Sequence, residues 1–279
     1  MSPSTFFRGK SVLITGASSG IGRTLALQLG AAGAKVTLTA RRAELLTALA
    51  DEMVSAGAVR PVISTCDVTR DGDLEQAVAA TVGAFSGLDV VFANAGFGVV
   101  GFFEKLELAD YRRQFETNVF GVLRTLKACQ PEIARRKGNV VIMGSVAGYC
   151  ATPGNSPYCM SKFALRALAR SITPELARNG VRVTLISPGF VASNIRKVDN
   201  ADRFHADAPE PMPPWIVADT QRACRQILRA VSAGRAEAII TGHGKLLVAI
   251  ERFAPWILRA AGRRMAARGR GHRPSVDTH

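Results

Sequence analysis

Residues 11–33 set a strand, a glycine turn and a helix end to end, and few folds accept that order. SVLIT (11–15) is a short, β-branched, apolar run suited to a strand covered on both faces. Thr15-Gly-Ala-Ser-Ser-Gly-Ile-Gly22 follows it, and then TLALQLGAAG, an alanine- and leucine-rich helical stretch closing at Gly30 and Gly33. This order aims backbone N–H groups and the positive end of a helix dipole at a phosphate. The glycines Gly16, Gly20 and Gly22 are spaced G-x-x-x-G-x-G, with Ser18, Ser19 and Ile21 between them. A Cβ at these positions would obstruct the turn and the approach of a pyrophosphate. Taken alone, the run could also be an ordinary glycine-rich turn, the less favoured of the two readings.

The rest of the chain supplies the context. VTLTA (36–40), PVISTCDV (61–68), LDVVFANAG (88–96), NVVIMGS (139–145), VRVTLISPG (181–189) and EAIITG (237–242) read as strands, which with the first makes seven. Helical stretches lie between them, at 43–57, 73–85 and 162–180 among others. Such alternation predicts an α/β, doubly wound, seven-stranded parallel sheet with helices on both faces. Ligands of such sheets lie beyond the carboxyl ends of the strands. Gly16, Asp67, Asn94, Ser145 and Pro188 all fall there.

A second pattern carries acid–base chemistry. Tyr158 precedes Lys162 by four residues, one helical turn, so their side chains share a face. A free tyrosine, with a pKa of about 10, is a poor proton donor near neutrality. A neighbouring ammonium favours the phenolate and lowers that pKa. Ser145, delivered by a strand end thirteen residues earlier, can hydrogen-bond a substrate oxygen. Separately each residue has a dull reading: a surface aromatic, a solvated lysine, a turn serine.

Together these motifs resemble the short-chain dehydrogenase/reductase family over about residues 9–243. TGASSGIG is similar to its TGxxxGxG cofactor loop, and Asn94-Ala95-Gly96 to the NAG motif that stabilises the central sheet. Asn118 in FETNVFG matches its helix asparagine, Ser145, Tyr158 and Lys162 the remainder of its catalytic tetrad, and Pro188-Gly189 its PG motif. The resemblance implies hydride transfer between a nicotinamide cofactor and a carbonyl or alcohol. It also implies a water relay through Asn118 behind Lys162, a contact of Lys162 with the nicotinamide ribose, and an adenine site at Asp67-Val68. Val191 and Ser193, after the PG motif, would line the cofactor; Ser193 stands where the family often has threonine. A homodimer or homotetramer is the implied assembly. A non-catalytic NADP(H)-binding sensor on the same fold is the alternative, which the intact Asn118, Ser145, Tyr158 and Lys162 argue against.

Cofactor choice is read at the end of the second strand. NAD-specific folds place an acid there for the ribose 2′-hydroxyl, whereas an arginine accommodates a 2′-phosphate. This chain has Ala40-Arg41-Arg42 and no acid until Glu44, which the helical pattern is expected to carry onward. NADP(H) is therefore expected, with Arg41 the leading residue and Arg42 beside it. Substrate is read from Phe97, Val99, Val100, Val146, Tyr149 and Cys150, with Ser145 and Tyr158. These are mainly apolar and favour a lipophilic ketone or aldehyde, though the same side chains could simply be core. Long-chain 3-keto lipids and steroid-like ketones are the two groups the resemblance suggests. Residues 193–216, rich in Pro and charge, suit a lid.

The five cysteines lack C-x-x-C spacing, so filler roles and a reduced cytosol are expected, with no metal site. No stretch of 18 consecutive apolar residues supports a membrane span, and the first strand begins within about ten residues, leaving no room for a signal peptide. Residues 244–279 form an extension past the catalytic domain (1–243). Residues 241–279 hold eight of the 36 basic and two of the 22 acidic residues, hence +6 of the +14 net charge. A single basic amphipathic helix over 245–273, with Leu246, Leu247, Ile250, Phe253, Trp256 and Ile257 on one face, could lie at an anionic membrane surface. Packing on the fold or a dimer contact is the equal alternative. Nucleic acid is not expected, because no recognised binding motif accompanies the charge.

Overall fold

The computed structural model describes residues 2–192, Asn200 and residues 213–269. Seven parallel strands form one sheet in the order β3-β2-β1-β4-β5-β6-β7. They are β1 (Ser11–Thr15), β2 (Lys35–Ala40), β3 (Val62–Thr65), β4 (Val90–Ala93), β5 (Asn139–Met143), β6 (Arg182–Pro188) and β7 (Glu237–Ile240). The order reverses direction at β1, between β2 and β4, and this switch opens the crevice in which such sheets bind ligands.

Alternate residues of the buried strands feed two cores, as the pleat requires. Val12 and Ile14 face one layer with Leu25 and Leu29 of α2 (Gly20–Ala31) and Leu46, Leu49 and Met53 of α3 (Ala43–Ser55). Ile227 and Val231 of α8 (Thr220–Ser232) join them there. Leu13 faces the other layer, with Ala77 of α4 (Asp73–Phe85), Val122 and Ile133 of α6 (Gly121–Arg135) and Leu165 of α7 (Ser156–Ala177). A short helix that the sequence pattern did not suggest, α1 (Pro3–Phe7), plugs one end of the first layer with Phe6 and Phe7.

Three boundaries depart from expectation in a way that matters for the site. Strands β3, β4, β5 and β7 end two to three residues earlier than the sequence pattern suggests, and after β3 and β4 side chains rather than neighbouring strands take over the backbone. Thus Asp67 N–H goes to Asp73 Oδ2 at 2.8 Å, and Asn94 N–H to Thr15 Oγ1 at 3.0 Å. Helix α7 starts at Ser156 rather than at 162, with Pro157 in its first turn, where a missing N–H costs nothing. The expected single tail helix is two helices, α9 (Gly242–Phe253) and α10 (Pro255–Gly269). They part at Ala254 (φ −142°, ψ 55°), since the residue before a proline is driven out of the helical region.

Candidate functional site

The glycine loop is built to bring backbone close to a ligand. Gly16 has φ +69° and Gly20 φ +53°, conformations that cost other residues strain. A Cβ on Gly22 would stand 2.2 Å from the Gly16 carbonyl oxygen, so the turn closes only without one. The side chain of Asn94 locks this turn from the next strand, donating Nδ2 to the carbonyls of Thr15 (2.9 Å) and Gly16 (3.2 Å). Thr15 Oγ1 in turn accepts the N–H groups of both Asn94 and Ala95, each at 3.0 Å. The result is a rigid strand–turn–helix junction with the N-terminus of α2 at its mouth. These features fit a dinucleotide pyrophosphate: the cradle is one a Cβ would fill, and α2 presents its positive end to it.

Beside the loop lies a depression of about 480 Å³ lined by Ser18, Ser19, Gly20, Arg23, Arg42, Glu44 and Leu45. Arg42 reaches across it to Ser18 Oγ at 3.2 Å. Arg41 is exposed, and its charge acts on Asp67. Burial works against ionisation of the Asp67 carboxyl. Hydrogen bonds from Thr69 N–H (3.0 Å) and Thr69 hydroxyl (2.7 Å), with Arg41 and Arg70, nonetheless hold its pKa below the ordinary value. Glu44 corrects the expectation that the helix carries it away. With Arg42 as N-cap, Glu44 is still in the first turn of α3 and lines the same depression. Val68 is buried against Cys66 and Leu74.

The residues expected to carry acid–base chemistry lie on one helix and one turn. Tyr158 and Lys162 both lie in the first two turns of α7, and Lys162 Nζ stands 5.6 Å from the Tyr158 ring centroid. Lys162 is buried and donates to the Met143 carbonyl at the end of β5 (2.9 Å). Burial lowers its pKa from 10.5 to about 8. Ser145 caps the short 3₁₀ turn Val146–Gly148, its Oγ accepting Ala147 N–H at 3.1 Å. That turn packs tightly on α7: a Cβ on Gly148 would come within 2.7 Å of the Lys162 carbonyl oxygen.

Asn118 lies in a five-residue π-helical segment, Glu116–Phe120, between α5 (Leu108–Phe115) and α6. Such bulges recur at functional sites. It is fully buried and brackets Phe97, accepting its N–H at 3.1 Å and donating to its carbonyl at 3.0 Å. Its Nδ2 also meets Ser161 Oγ at 3.2 Å, and Gly96 packs against its Oδ1. Gln114, one turn earlier, holds Val99 N–H (2.6 Å) and the same Phe97 carbonyl (2.8 Å), a role the sequence reading missed.

The residues read as substrate contacts divide. Phe97, Val99 and Val146 are buried, whereas Val100 is exposed, its backbone bonded both ways to Asn200 at 2.9 Å. Tyr149 turns to a polar cluster: its hydroxyl donates to Glu237, which also accepts from Arg166 (3.2 Å) and Arg170 (3.0 Å). Burial first, and then the Glu237 carboxylate, push the Tyr149 phenol up to about 12. Cys150 Sγ meets the Leu247 carbonyl at 3.6 Å, and all five cysteines are buried thiols.

Beyond β6, Gly189 lies under His243 and Thr241, and His243 Nε2 accepts Phe190 N–H at 2.8 Å. That acceptor was not foreseen. Val191 forms a bridge with Ala218, and Ser193 lies outside the described residues, as does most of the expected lid. Among the described residues, no helix is long and apolar enough to cross a membrane.

Comparison with known proteins agrees with this geometry. The model of the short chain dehydrogenase family matches residues 10–203, more than half of the chain. An "uncharacterized oxidoreductase" of Myxococcus xanthus is 38% identical over 231 residues, 82% of this chain and 86% of the relative. An 11-beta-hydroxysteroid dehydrogenase A of Sesamum indicum is 31% identical over 81% of this chain and 64% of its own length. Among solved structures, an alcohol dehydrogenase from the archaeon Thermococcus sibiricus complexed with 5-hydroxy-NADP superposes with a TM-score of 0.71. It is 26% identical, with 82% of this chain and 95% of that one covered. With the family model matched over residues 10–203 and a relative 38% identical over 82% of the chain, the chain belongs to the short-chain dehydrogenase family.

Proposed function

We propose that the chain is an NADPH-dependent reductase of a lipophilic ketone or aldehyde. The observation that carries this reading is the buried Lys162 ammonium 5.6 Å from the Tyr158 ring, beside the Ser145 turn. Bound cofactor supplies the hydride. Tyr158 gives its phenolic proton to the carbonyl oxygen as the hydride reaches carbon, so that one alcohol forms and a phenolate remains. Lys162 stabilises that phenolate, which makes the phenol a competent acid near neutrality. Ser145 Oγ already accepts Ala147 N–H, which leaves its hydroxyl hydrogen free to point at the carbonyl oxygen. Asn118 contributes by holding the Phe97 backbone against α7.

The preference for NADPH is supported by Ala40 where an acid would bind ribose, and by Arg41 and Arg42 beside the loop. A lipophilic substrate is supported by the relative named for a steroid. Consumption of NADPH and of NADH should be followed over ketones and aldehydes of graded chain length and ring number. Turnover with NADPH that rises with substrate apolarity is expected. Tyr158→Phe should lower kcat by about 10²–10⁴-fold while NADPH still binds. Retained turnover in Tyr158→Phe, or a preference for NADH, overturns the reading.

A further inference from the structure

We propose that α9 and α10 form a docking face for an anionic lipid bilayer, and that docking sets the Val146–Gly148 turn at the bilayer surface. The inner side of this helix pair is fixed to the site. Gly244 is buried under Val146 and Thr241, the Leu247 carbonyl meets Cys150, and Gly262 of α10 lies against Pro153. The outer side carries large apolar groups in the open. Leu246 is 61% exposed, Phe253 72% and Trp256 64%, with Ile257 and Met265 also exposed. Leu246 and Phe253 are seven residues apart, two turns along one side of α9.

Charge selects the occupant. Lys245 and Arg252 directly precede Leu246 and Phe253 on α9, and the exposed Arg259, Arg263 and Arg264 are spread along α10 among Trp256, Ile257 and Met265. Between 242 and 267 these five basic residues face a single acid, Glu251. A second copy pairing through the same patch would bring like charges together, which disfavours self-association. A bilayer with anionic headgroups instead accepts both halves of the pattern at once: apolar groups enter the acyl boundary while arginines meet phosphates. The inference is independent of the catalytic reading, since docking needs no turnover.

The test uses the full chain. Its tryptophans are Trp215 and Trp256, so Trp215→Phe leaves Trp256 as the only fluorophore of its kind on the proposed face. Vesicles of phosphatidylcholine alone, and of phosphatidylcholine with a quarter phosphatidylglycerol, are titrated in low and in high salt. Binding to the anionic vesicles is expected, with a blue shift of Trp256 emission, at least about tenfold stronger than to neutral ones and weakened by salt. Leu246→Glu with Phe253→Glu should abolish it, and Arg259→Glu with Arg263→Glu should cut it about tenfold or more, the circular dichroism of both variants being unchanged. No binding, equal binding to neutral vesicles, or indifference to these exposed substitutions overturns the proposal. A vesicle-free dimer that Phe253→Glu dissociates, or capture of double-stranded DNA that survives Leu246→Glu and Phe253→Glu, does so as well.

Discussion

Asn118 hydrogen-bonds both backbone groups of Phe97, at 3.1 Å and 3.0 Å, from within a π-helical segment. A residue matched by resemblance to a catalytic asparagine thus also builds the site wall. Replacing it by leucine keeps the bulk but orphans the buried Phe97 N–H and removes the partner of Ser161, whereas the Phe97 carbonyl keeps Gln114. Asn118→Leu should therefore lose about 2–3 kcal/mol in urea unfolding, in line with one unpaired buried donor plus a lost side-chain bond. A loss below about 0.5 kcal/mol would mean that the Phe97 loop repacks freely.

Lys162 makes a prediction with a sign. Burial sets its folded pKa near 8, whereas the unfolded chain keeps the proton to about 10.5. The unfolded state therefore holds more protons between those values, and stability contributed by this group rises with pH across that window. Below about pH 8 the cost of burying the ammonium is fully present, offset in part by the Met143 carbonyl. Lys162→Met should thus abolish turnover yet raise stability by about 1–3 kcal/mol at pH 7, a gain that shrinks as pH climbs from 8 toward 10.5. Urea unfolding of both proteins at pH 7 and pH 9.5 checks it. A destabilised Lys162→Met at pH 7 would show that the carbonyl bond outweighs desolvation.

Much of this was legible in the sequence. The β-branched centres of all seven strands, the glycine turn and the pairing of Tyr158 with Lys162 are local signals, and each has a period or a spacing. What escaped depends on distance or on an exception. The clamp of Tyr149, Arg166, Arg170 and Glu237 joins residues 88 apart through the register that sets Leu185 beside Glu237, and no local pattern encodes it. Pro157 masked the start of α7, although proline in a first turn is tolerated. Pro255 was a visible break in the tail, outweighed in the reading by the apolar stripe running through it.

The arginines at the cofactor loop can be told apart. Arg42 lines the depression and bonds Ser18, whereas Arg41 acts on the Asp67 carboxylate. A lost guanidinium–phosphate bond is worth about 1.5–3 kcal/mol. Arg42→Ala should therefore weaken NADPH by roughly tenfold or more and NADH by far less, with Arg41→Ala producing the smaller loss. Glu44→Gln, which removes an acid from the same depression, should tighten NADPH. Calorimetric titration of both cofactors into the three variants decides; a larger effect of Arg41→Ala would return the 2′-phosphate to that residue.

Glu237 ties the turn that Ser145 caps to the helix of Tyr158. It accepts from Tyr149, one residue past the Val146–Gly148 turn, and from Arg166, one helical turn past Lys162, while the Arg166 guanidinium stacks 3.9 Å from the Tyr149 ring. Burial alone would raise the Glu237 pKa, but bonds from Tyr149, Arg170 and Arg166 bring it below its ordinary 4.5. A folded-state pKa below the unfolded one contributes stability above about pH 4.5, and that contribution disappears as pH falls through the folded value. Partial exposure of the cluster keeps the effect modest, so Glu237→Gln should cost about 1–2 kcal/mol at pH 7. The gap to the unaltered protein should close as pH falls from 4.5 through the lowered folded-state value. Because the clamp joins Tyr149, next to the turn that Ser145 caps, to Arg166 of α7, kcat should drop severalfold with NADPH affinity unchanged. Equal stability of the two proteins at pH 7, or a loss confined to NADPH binding, would take the clamp out of the account of the site.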